Sequence, residues 1–404
     1  MNVLTVVWIA LPFFLGFALL LAPRLGRAAA LLAVTASAAF AAGLFGQADY
    51  EPLLLLDSFG VTLLADRLSA WFILTNAAVT GAVVLYCLPD KRSGYFYAML
   101  TLAHGSINSA CICSDFISLY VALEVLSVAA FLLITCTRSG RSIWVGLRYL
   151  LVSNVAMLFY LIGAVLVYQQ GHSFAYAGLT DARPQAAAFI FLGLLVKGGV
   201  FVSGLWLPFT HSEAETPISA FLSGVVVKAG ILPMLRCSML SAEFEFIVRA
   251  CGVGTALMGV SFAAIEKDAK RMLAFHTISQ LGFILAAPAV GGFYAFAHGL
   301  VKSCLFLGAG QLPNRNFAQL KHTQINSWVW LVLVTGSLSI SGFPLLAGFG
   351  AKLLSMKHLA SWQLIPMNIA ATGTAISFAK FIFLPHAGWA PAFKRGFLPA
   401  ALVL

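Results

Sequence analysis

Charged side chains are scarce in this chain. Asp, Glu, Lys and Arg together make up 9% of its 404 residues, whereas soluble domains carry about 25%. Hydrophobic residues make up 61% of the chain, and its mean hydropathy is +0.94. This composition excludes a water-soluble globular protein. The net charge of +10 is therefore assigned to basic loops at a membrane surface and not to a nucleic-acid interface.

The sequence also lacks the usual motifs for binding a cofactor or a metal. It has no glycine-rich dinucleotide loop, no Walker loop and no clustered metal ligands. Its seven cysteines form no CxxC pair, and their number is odd. Most of them lie inside apolar runs, where we expect buried reduced thiols. We therefore expect no cofactor, no bound metal and no catalysis by the chain alone.

Long apolar runs dominate the sequence instead. The first, VLTVVWIALPFFLGFALLLA, follows no basic segment and has no small-residue cleavage site, so we expect a first span and not a removable signal. Runs of ~20 residues recur along the chain, and in lipid such runs form helices. We predict a polytopic all-α membrane protein of thirteen to fourteen spans, the last of them only a short stub. The thirteen predicted spans lie near residues 3–22, 28–46, 68–88, 95–113, 116–136, 143–168, 186–208, 218–238, 246–265, 271–288, 293–312, 326–356 and 364–384.

The basic residues of the loops predict the orientation in the membrane. Fourteen Lys and Arg residues lie in loops that follow odd-numbered spans, and five lie in the opposite loops. Cytoplasmic loops carry the excess of Lys and Arg, so we place the N-terminus outside. The five residues of the poorer set are Arg67, Arg183, Arg236, Arg249 and Lys357.

Six ionisable residues remain inside the predicted spans, and each is costly there. A central Lys costs about 2.5 to 3.5 kcal/mol on translocon scales. Such residues face the bundle interior and form a functional site by default. Two structural alternatives remain open: Lys380 snorkels to the interface, and Lys302 with His298 hydrogen-bonds neighbouring helices. The six residues are Glu124, Lys197, Lys228, Lys302, Lys352 and Lys380.

The spacing of these lysines indicates an internal repeat. Lys352 follows Lys197 by 155 residues, and Lys380 follows Lys228 by 152. An offset of five helices inverts the second copy in the membrane, an arrangement found in transporters. We therefore divide the chain into helices 1–3 (1–93), a first repeat (94–238), a second repeat (239–385) and a C-terminal stub (386–404). The same offset carries Glu124 to position 279, beside Gln280 and near His276, where no acid occurs.

Glycine and proline interrupt the seventh and the twelfth spans. The seventh contains KGGVFVSG followed by Pro208, and the twelfth contains SGFP before Lys352. Broken helices at membrane depth are tolerated only where they line a cavity or are buried in protein. We predict that both helices are discontinuous beside their lysines.

In six stretches the chain resembles the antiporter-like subunits of respiratory complex I, membrane-bound hydrogenases and Mrp-type cation/proton antiporters. The resemblance covers roughly residues 60–385 and is closest to the D subunit of Mrp antiporters. Its stretches are LLADRLSAWF, YVALEVLSVAAFLLI, the segment from GLLVKGG to GILPMLR, KDAKRMLAFHTISQLGF, FAHGLVKSCLFLGAGQL and SGFPLLAGFGAKLL.

The resemblance implies a role for the buried charges. In this family the fifth-span glutamate and seventh-span lysine drive proton movement, and these positions match Glu124 and Lys197. The eighth-span lysine matches Lys228, the eleventh-span histidine matches His298, and the twelfth-span exit residue matches Lys352. Lys302 is included as a further translocation residue.

One loop departs from the family pattern. The loop that follows the seventh span reads HSEAET, beginning at His211, where relatives have proline at the position of Glu215. Glu213 and Glu215 either attract cations at a channel mouth or belong to a solvated loop. His211, Glu213 and Glu215 are therefore secondary candidates, together with His276 and Lys380.

Three functions remain open from the sequence. The chain is a proton- or cation-translocating subunit of a larger membrane complex, exchanging H⁺ for Na⁺ or K⁺ or belonging to a redox-driven complex. Alternatively it is a scaffold that only holds its neighbours, or a subunit of a solute (for example bicarbonate) transporter with the same fold. In each case we expect other membrane subunits and lipid as partners, in an energy-transducing membrane such as the bacterial inner membrane.

Overall fold

A computed structural model describes residues 2–55, 60–389 and 393–404. These residues fold almost entirely into helices. Residues 390–392 of the expected C-terminal stub lie outside the described residues. The main helices are α1 (Asn2–Leu21), α2 (Gly26–Phe45), α3 (Arg67–Cys87), α4 (Gly94–Ile112), α5 (Phe116–Ile134), α6 (Gly140–Gly171), α7 (Pro184–Lys197), α8 (Trp206–Glu213), α9 (Thr216–Phe221), α10 (Lys228–Ser238), α11 (Ala242–Ile265), α12 (Ala269–Ala286), α13 (Gly291–Ala309), α14 (Phe317–Leu320), α15 (Ser327–Ser341), α16 (Ala347–Lys357), α17 (Ser361–Ile382) and α18 (Phe397–Val403).

The helices confirm the prediction of a polytopic all-α membrane protein. Nine helical segments of the described chain are long and apolar enough to cross a membrane by length and composition. Each of the thirteen predicted spans coincides with one helix or with two consecutive helices. The four predicted spans outside the nine are α4, α12, α15 with α16, and α17. The final run forms only the short helix α18, as its length predicts.

A two-stranded hairpin joins α2 to α3. Strand β1 (Leu53–Leu54) pairs antiparallel with β2 (Thr62–Leu63). Asp115 fastens this hairpin to α5, because its carboxylate accepts from the backbone N–H of Thr62 (2.9 Å) and from that of Ser118 in the first turn of α5 (2.7 Å). A buried carboxylate that satisfies two backbone donors stabilises both the loop and the start of the helix.

Both predicted helix breaks are present. Helix α7 ends at Lys197, and Gly199 then adopts a left-handed conformation (φ +64°) before a 3₁₀ turn leads into α8. In the twelfth span, α15 ends at Ser341, Gly342 follows in a left-handed conformation (φ +85°), and α16 begins at Ala347. Glycine adopts these angles without the steric cost of a Cβ. Pro208 lies within the first turn of α8, where a missing N–H is tolerated. The seventh-span break therefore lies before it, where Gly199 and Phe201 (φ +53°) both have left-handed backbones.

The eighth span contains an irregularity that the sequence does not predict. Helices α9 and α10 are joined by a π-helical segment, Leu222–Val226, which ends just before Lys228. A π-bulge widens the helix and leaves carbonyl groups without their usual i+4 donors. The segment from Thr216 to Ser238 is completely surrounded by other helices, so these carbonyl groups must be satisfied inside the protein.

Arg236 is buried at the end of the eighth span and does not lie in a loop, which corrects its place in the loop count. Its guanidinium donates to both carboxylate oxygens of Asp66 (2.9 and 3.0 Å) and to the Ser69 hydroxyl (2.7 Å). Asp66 in turn accepts from the Ser69 backbone N–H (2.8 Å) and caps α3. This bidentate pair fastens the end of α10 to the start of α3.

We predict that Asp66→Ala destabilises the protein by about 3 kcal/mol, because it leaves the buried Arg236 without its counter-charge. Thermal unfolding of the purified protein in detergent measures the effect. Asp181→Ala is the matched control, because Asp181 is exposed and forms no ion pair within the described chain. Equal melting temperatures for the two variants would contradict the prediction.

The same pair predicts a pH dependence. Burial acts to raise the pKa of the Asp66 carboxyl, but Arg236 and the Ser69 hydrogen bonds outweigh it and hold that pKa below its ordinary value of 3.8. A depressed folded pKa stabilises the fold above the unfolded pKa, and the contribution is lost as the pH falls through the folded value. The difference in melting temperature between wild type and Asp66→Ala should therefore persist at pH 7 and shrink below about pH 4.

Candidate functional site

Glu124 and Lys197 form an ion pair within the membrane-spanning helices. Helix α5 carries Glu124, and Lys197 is the last residue of α7 before the glycine break. Their charged atoms, Oε1 and Nζ, lie 3.4 Å apart. The side chain of Lys197 is 6% exposed, whereas that of Glu124 is 25% exposed. The structure therefore brings together the two residues that the sequence singled out as partners.

Polar groups of α5 and α6 complete the surroundings of the pair. Lys197 also donates to the Leu123 carbonyl oxygen (3.2 Å) and to the Ser127 hydroxyl. The Ser127 hydroxyl in turn lies 3.3 Å from that of Ser153. With its amide nitrogen turned towards Glu124, Asn154 donates to Oε2 at 3.3 Å. The Lys197 ammonium thus has partners on α5, and the Glu124 carboxylate accepts from Lys197 at Oε1 and from Asn154 of α6 at Oε2.

Ser127, Ser153 and Asn154 are site residues that sequence reasoning missed. Ser127 lies three residues after Glu124 and therefore on the same helix face, which is a signal that the sequence carries. Ser153 and Asn154 belong to α6, and nothing in the sequence relates them to α5. Only the packing of the two helices places them beside the ion pair.

Lys228 lies directly after the π-helical segment of the eighth span. Its Nζ donates to the carbonyl oxygens of Ser223 (3.1 Å) and Gly224 (2.5 Å). These are carbonyl groups of the π-helical segment, so the local irregularity supplies the acceptors for the lysine. No carboxylate of the described chain forms an ion pair with Lys228, which is 1% exposed.

The backbones that carry Lys197 and Lys228 touch. A Cβ on Gly230 would lie 2.8 Å from the Lys197 carbonyl carbon and closer still to the Gly198 nitrogen. A real Cβ does not fit there, so only glycine allows α10 to pack this closely on the helix break. Lys197 and Lys228 therefore lie on segments whose backbones are in direct contact.

Helix α13 carries two further buried candidates, His298 and Lys302. His298 is buried, and neither of its ring nitrogens has a hydrogen-bond partner among the described residues. It borders a small cavity shared with Gln280 and Tyr294, whose hydroxyl donates to the Gln280 amide oxygen at 2.6 Å. The cavity has space for about one water molecule.

Lys302 is fully buried one turn further along α13. Its Nζ donates to the Leu273 carbonyl oxygen (2.5 Å) and lies over the rings of Phe378 (5.6 Å) and Phe306 (5.8 Å). Ring faces attract cations, so these contacts partly replace a counter-charge. Helix α13 also packs on the segment that carries Lys228, since a Cβ on Gly299 would lie 3.0 Å from the Gly224 carbonyl oxygen and 3.6 Å from Lys228 Cε.

Lys352 lies at the break of the twelfth span. Its Nζ donates to the carbonyl oxygens of Ile340 and Ser341 (both 3.3 Å), which end α15, and lies 5.1 Å from the ring centre of Phe283. The free carbonyl groups at a helix C-terminus carry partial negative charge and favour a cation. His276 is also buried, and neither of its ring nitrogens has a hydrogen-bond partner among the described residues.

The secondary candidates divide into two groups. His211 and His276 are buried against aromatic rings, with ring centres 5.4 Å from Phe306 and 4.4 Å from Phe378 respectively. Lys380 instead caps α11, donating to the carbonyl oxygens of Ala264 (2.7 Å) and Glu266 (3.0 Å). This contact gives Lys380 a structural role that needs no transport function.

Glu213 and Glu215 form ion pairs at the loop ends of the helices. Glu213 pairs with Arg141 (2.9 Å), and Glu215 pairs with Arg92 (2.5 Å). Their carboxylates are already matched by arginines from other loops. The structure therefore places both glutamates in ion pairs that join neighbouring segments at the loop ends of the helices.

More than half of the chain matches a known family. Residues 113–377 match the model described as "NADH:quinone oxidoreductase/Mrp antiporter, TM". NADH-quinone oxidoreductase subunit N of Desulforudis audaxviator is 28% identical over 373 residues, covering 80% of this chain and 72% of the relative. The D subunit of the Na(+)/H(+) antiporter of Alkalihalophilus pseudofirmus is 25% identical over 366 residues, covering 82% and 74%.

Solved structures share the fold over nearly the whole chain. A chain of the membrane-bound sulfane sulfur reductase, an archaeal respiratory membrane complex, superposes with a TM-score of 0.86 at 21% identity, covering 100% of this chain and 93% of that one. A chain of the Mrp complex from Dietzia sp. DQ12-45-1b gives 0.84 at 20% identity, covering 98% and 83%. Both are subunits of multi-subunit membrane complexes.

We predict that Gly299→Ala disturbs the surroundings of Lys228. A Cβ at Gly299 would overlap Thr75 Cγ2 and lie 3.0 Å from the Gly224 carbonyl oxygen, which accepts from Lys228. Overpacking of this kind costs about 1 to 3 kcal/mol. Thermal unfolding measures the loss.

Gly43→Ala is the matched control for this substitution. Gly43 is also a glycine within a helix, but a Cβ there meets nothing within 4 Å. Replacing a helical glycine by alanine at such a position stabilises by about 0.5 to 1 kcal/mol. If both variants melt at or above the wild-type temperature, the close approach of α13 to the π-helical segment is not a constraint.

Proposed function

Because the chain belongs to the NADH:quinone oxidoreductase/Mrp antiporter transmembrane family, we propose that it translocates protons as an antiporter-like subunit of a multi-subunit membrane complex. The single observation that carries the proposal is a series of four buried lysines that begins at one ion pair. We call this series the row; its members are Lys197, Lys228, Lys302 and Lys352. Glu124 and Lys197 pair at 3.4 Å, and the lysines beyond them are held by carbonyl groups and ring faces.

The proton path follows from how each ammonium group is stabilised. Lys197 has a full counter-charge, whereas Lys228, Lys302 and Lys352 have only neutral partners within the described chain. A positive charge is therefore stabilised more strongly on Lys197 than on the other three lysines of the row. Neighbouring buried lysines disfavour each other's charged form, so one proton entering the row favours the departure of another further along.

We propose that Glu124 controls the first step. Coulomb attraction at this distance is worth about 5 kcal/mol at an effective dielectric constant of about 20. Protonation or displacement of the carboxylate removes that attraction, and Lys197 then releases its proton towards Lys228. Ser127 is in contact with the ammonium and can relay the proton, because a hydroxyl both donates and accepts.

The exposure of Glu124 bears on the partners of the chain. Its side chain is partly exposed, and the neighbouring Val121, Val125 and Val128 are all exposed on the same helix. A carboxylate facing lipid at this depth is costly. We propose that another membrane subunit of the complex covers this face of α5 and brings polar groups or water to Glu124.

The cation exchanged for H⁺ and the source of energy depend on the kind of complex to which the chain belongs. An Mrp-type complex exchanges H⁺ for Na⁺ or K⁺ at the expense of an ion gradient. A complex I-like or hydrogenase-like assembly couples the same row to redox chemistry in a hydrophilic arm. Purification of the intact complex and identification of its subunits distinguish the two, since only the second contains a hydrophilic redox arm.

We predict that Glu124→Gln and Lys197→Ala each reduce ion-coupled proton flux by about tenfold or more, since each removes one half of an attraction worth several times 1.4 kcal/mol. Flux is measured with a pH-sensitive dye in vesicles that contain the reconstituted complex. The matched controls are Glu243→Gln and Lys357→Ala, which remove exposed charges of the same types.

Assembly is checked in the same preparations by co-purification of the partner subunits. If an assembled Glu124→Gln complex has wild-type proton flux, the proposal is wrong and the chain acts as a scaffold that only holds its neighbours. Solute uptake by the isolated chain that survives both substitutions would favour the third function, a solute transporter. Loss of flux in the two control variants as well would attribute the effect to general damage.

A further inference from the structure

A second charged region lies at the loop ends of the helices, apart from the row of lysines. It is a cleft of about 600 Å³ between the start of α4, the end of α5 and the start of α6. Ligand sites commonly have volumes of about 300 to 1,000 Å³. Three basic residues border the cleft, namely Lys91, Arg92 and Arg138.

Two of these cations have no counter-charge in the described part of the chain. Arg92 pairs with Glu215 (2.5 Å) and Asp90 (3.3 Å), but neither Lys91 nor Arg138 takes part in an ion pair there, and both are exposed. Arg138 also has a left-handed backbone (φ +52°). A bulky residue in that region is uncommon and indicates a constrained position.

One part of the cleft wall is apolar, with Phe131 and Leu132 of α5 and Ile143 of α6. Glu215 also lines the cleft, where its carboxylate is paired with Arg92. The wall continues into the outward face of α6, where Trp144 and Leu147 are exposed at the beginning of a membrane-spanning helix. Basic groups therefore lie at the loop end of the cleft, and apolar groups lie towards the membrane.

We propose that this cleft binds an anionic phospholipid. The phosphate lies near Lys91 and Arg138, and an acyl chain lies along Leu132 and Ile143. Basic pockets between membrane helices bind anionic headgroups in this way. A free phosphate ion is also an anion but gains nothing from the apolar wall, so the amphipathic lining favours the lipid. Neither the fold nor the proton path assigns this site.

The bound lipid would link loops that are otherwise joined only through ion pairs. The Arg92–Glu215 pair joins the loop before α4 to the loop before α9, and Lys394 joins the same Asp90 at 2.6 Å. A headgroup on Lys91 and Arg138 adds the turn after α5 to this network. Because a ligand that binds only the folded state stabilises it, the lipid should raise the melting temperature.

The test compares lipid retention by wild type and variants. The full chain, purified with its accompanying subunits, is delipidated, incubated with phosphatidylglycerol or phosphatidylcholine in detergent, and separated from free lipid. Bound lipid is counted by mass spectrometry. We expect about fivefold weaker binding of phosphatidylglycerol to Lys91→Gln and to Arg138→Asn. Asparagine is chosen because it tolerates the left-handed conformation.

Arg24→Gln is the matched control. Arg24 is exposed and lies at the same end of the molecule, since its neighbour Pro23 packs on Gly94 at the start of α4, but it does not line the cleft. The control should retain phosphatidylglycerol and its melting-temperature gain, whereas both cleft variants lose them.

Three results would overturn the proposal. Equal retention by wild type and both cleft variants would place the lipid elsewhere. If phosphatidylcholine is retained as well as phosphatidylglycerol, the basic residues do not select the lipid, and the cleft is only an apolar groove. Displacement of the lipid by millimolar inorganic phosphate would make it a site for free anions.

Discussion

The ion pair between Glu124 and Lys197 is the interaction on which the proposed site depends. A lone lysine inside a membrane span is costly, and the carboxylate at 3.4 Å offsets that cost for one position only. Every other buried lysine of the row has to be accommodated by local backbone geometry or ring faces. The π-helical segment accommodates Lys228, and the end of α15 accommodates Lys352, because each presents two carbonyl oxygens to the ammonium group.

Helix irregularity supplies the acceptors for two of these buried cations, Lys228 and Lys352. A regular helix uses its own carbonyl groups, so a lysine within it has no acceptors close to its own backbone. The helix break at Lys197, the π-helical segment before Lys228 and the break before Lys352 each lie at a buried cation. Lys197 precedes its break, whereas Lys352 follows its break. The two positions are therefore not equivalent, which is consistent with the absence of an acid in the second half at the position that corresponds to Glu124.

Part of this arrangement could be predicted from the sequence. The depth of Glu124 and Lys197 in apolar runs, and the glycines beside Lys197 and Lys352, are local features that the sequence displays directly. The π-helical segment could not be predicted, because nothing in its residues distinguishes a π-helical turn from an α-helical one and tertiary packing decides its form. The burial of Arg236 is hidden from the sequence for the same reason: its partner, Asp66, lies 170 residues away. The arginine partners of Glu213 and Glu215 likewise come from distant loops.

The most direct test of the central claim is a double-mutant cycle on proton flux with Glu124→Gln, Lys197→Ala and the combined variant. Side chains that act as one unit are strongly non-additive. The account predicts that flux in the combined variant is no lower than in the worse of the two single variants. If the two losses multiply instead, Glu124 and Lys197 act independently, and the ion pair is not the element that controls the first proton transfer.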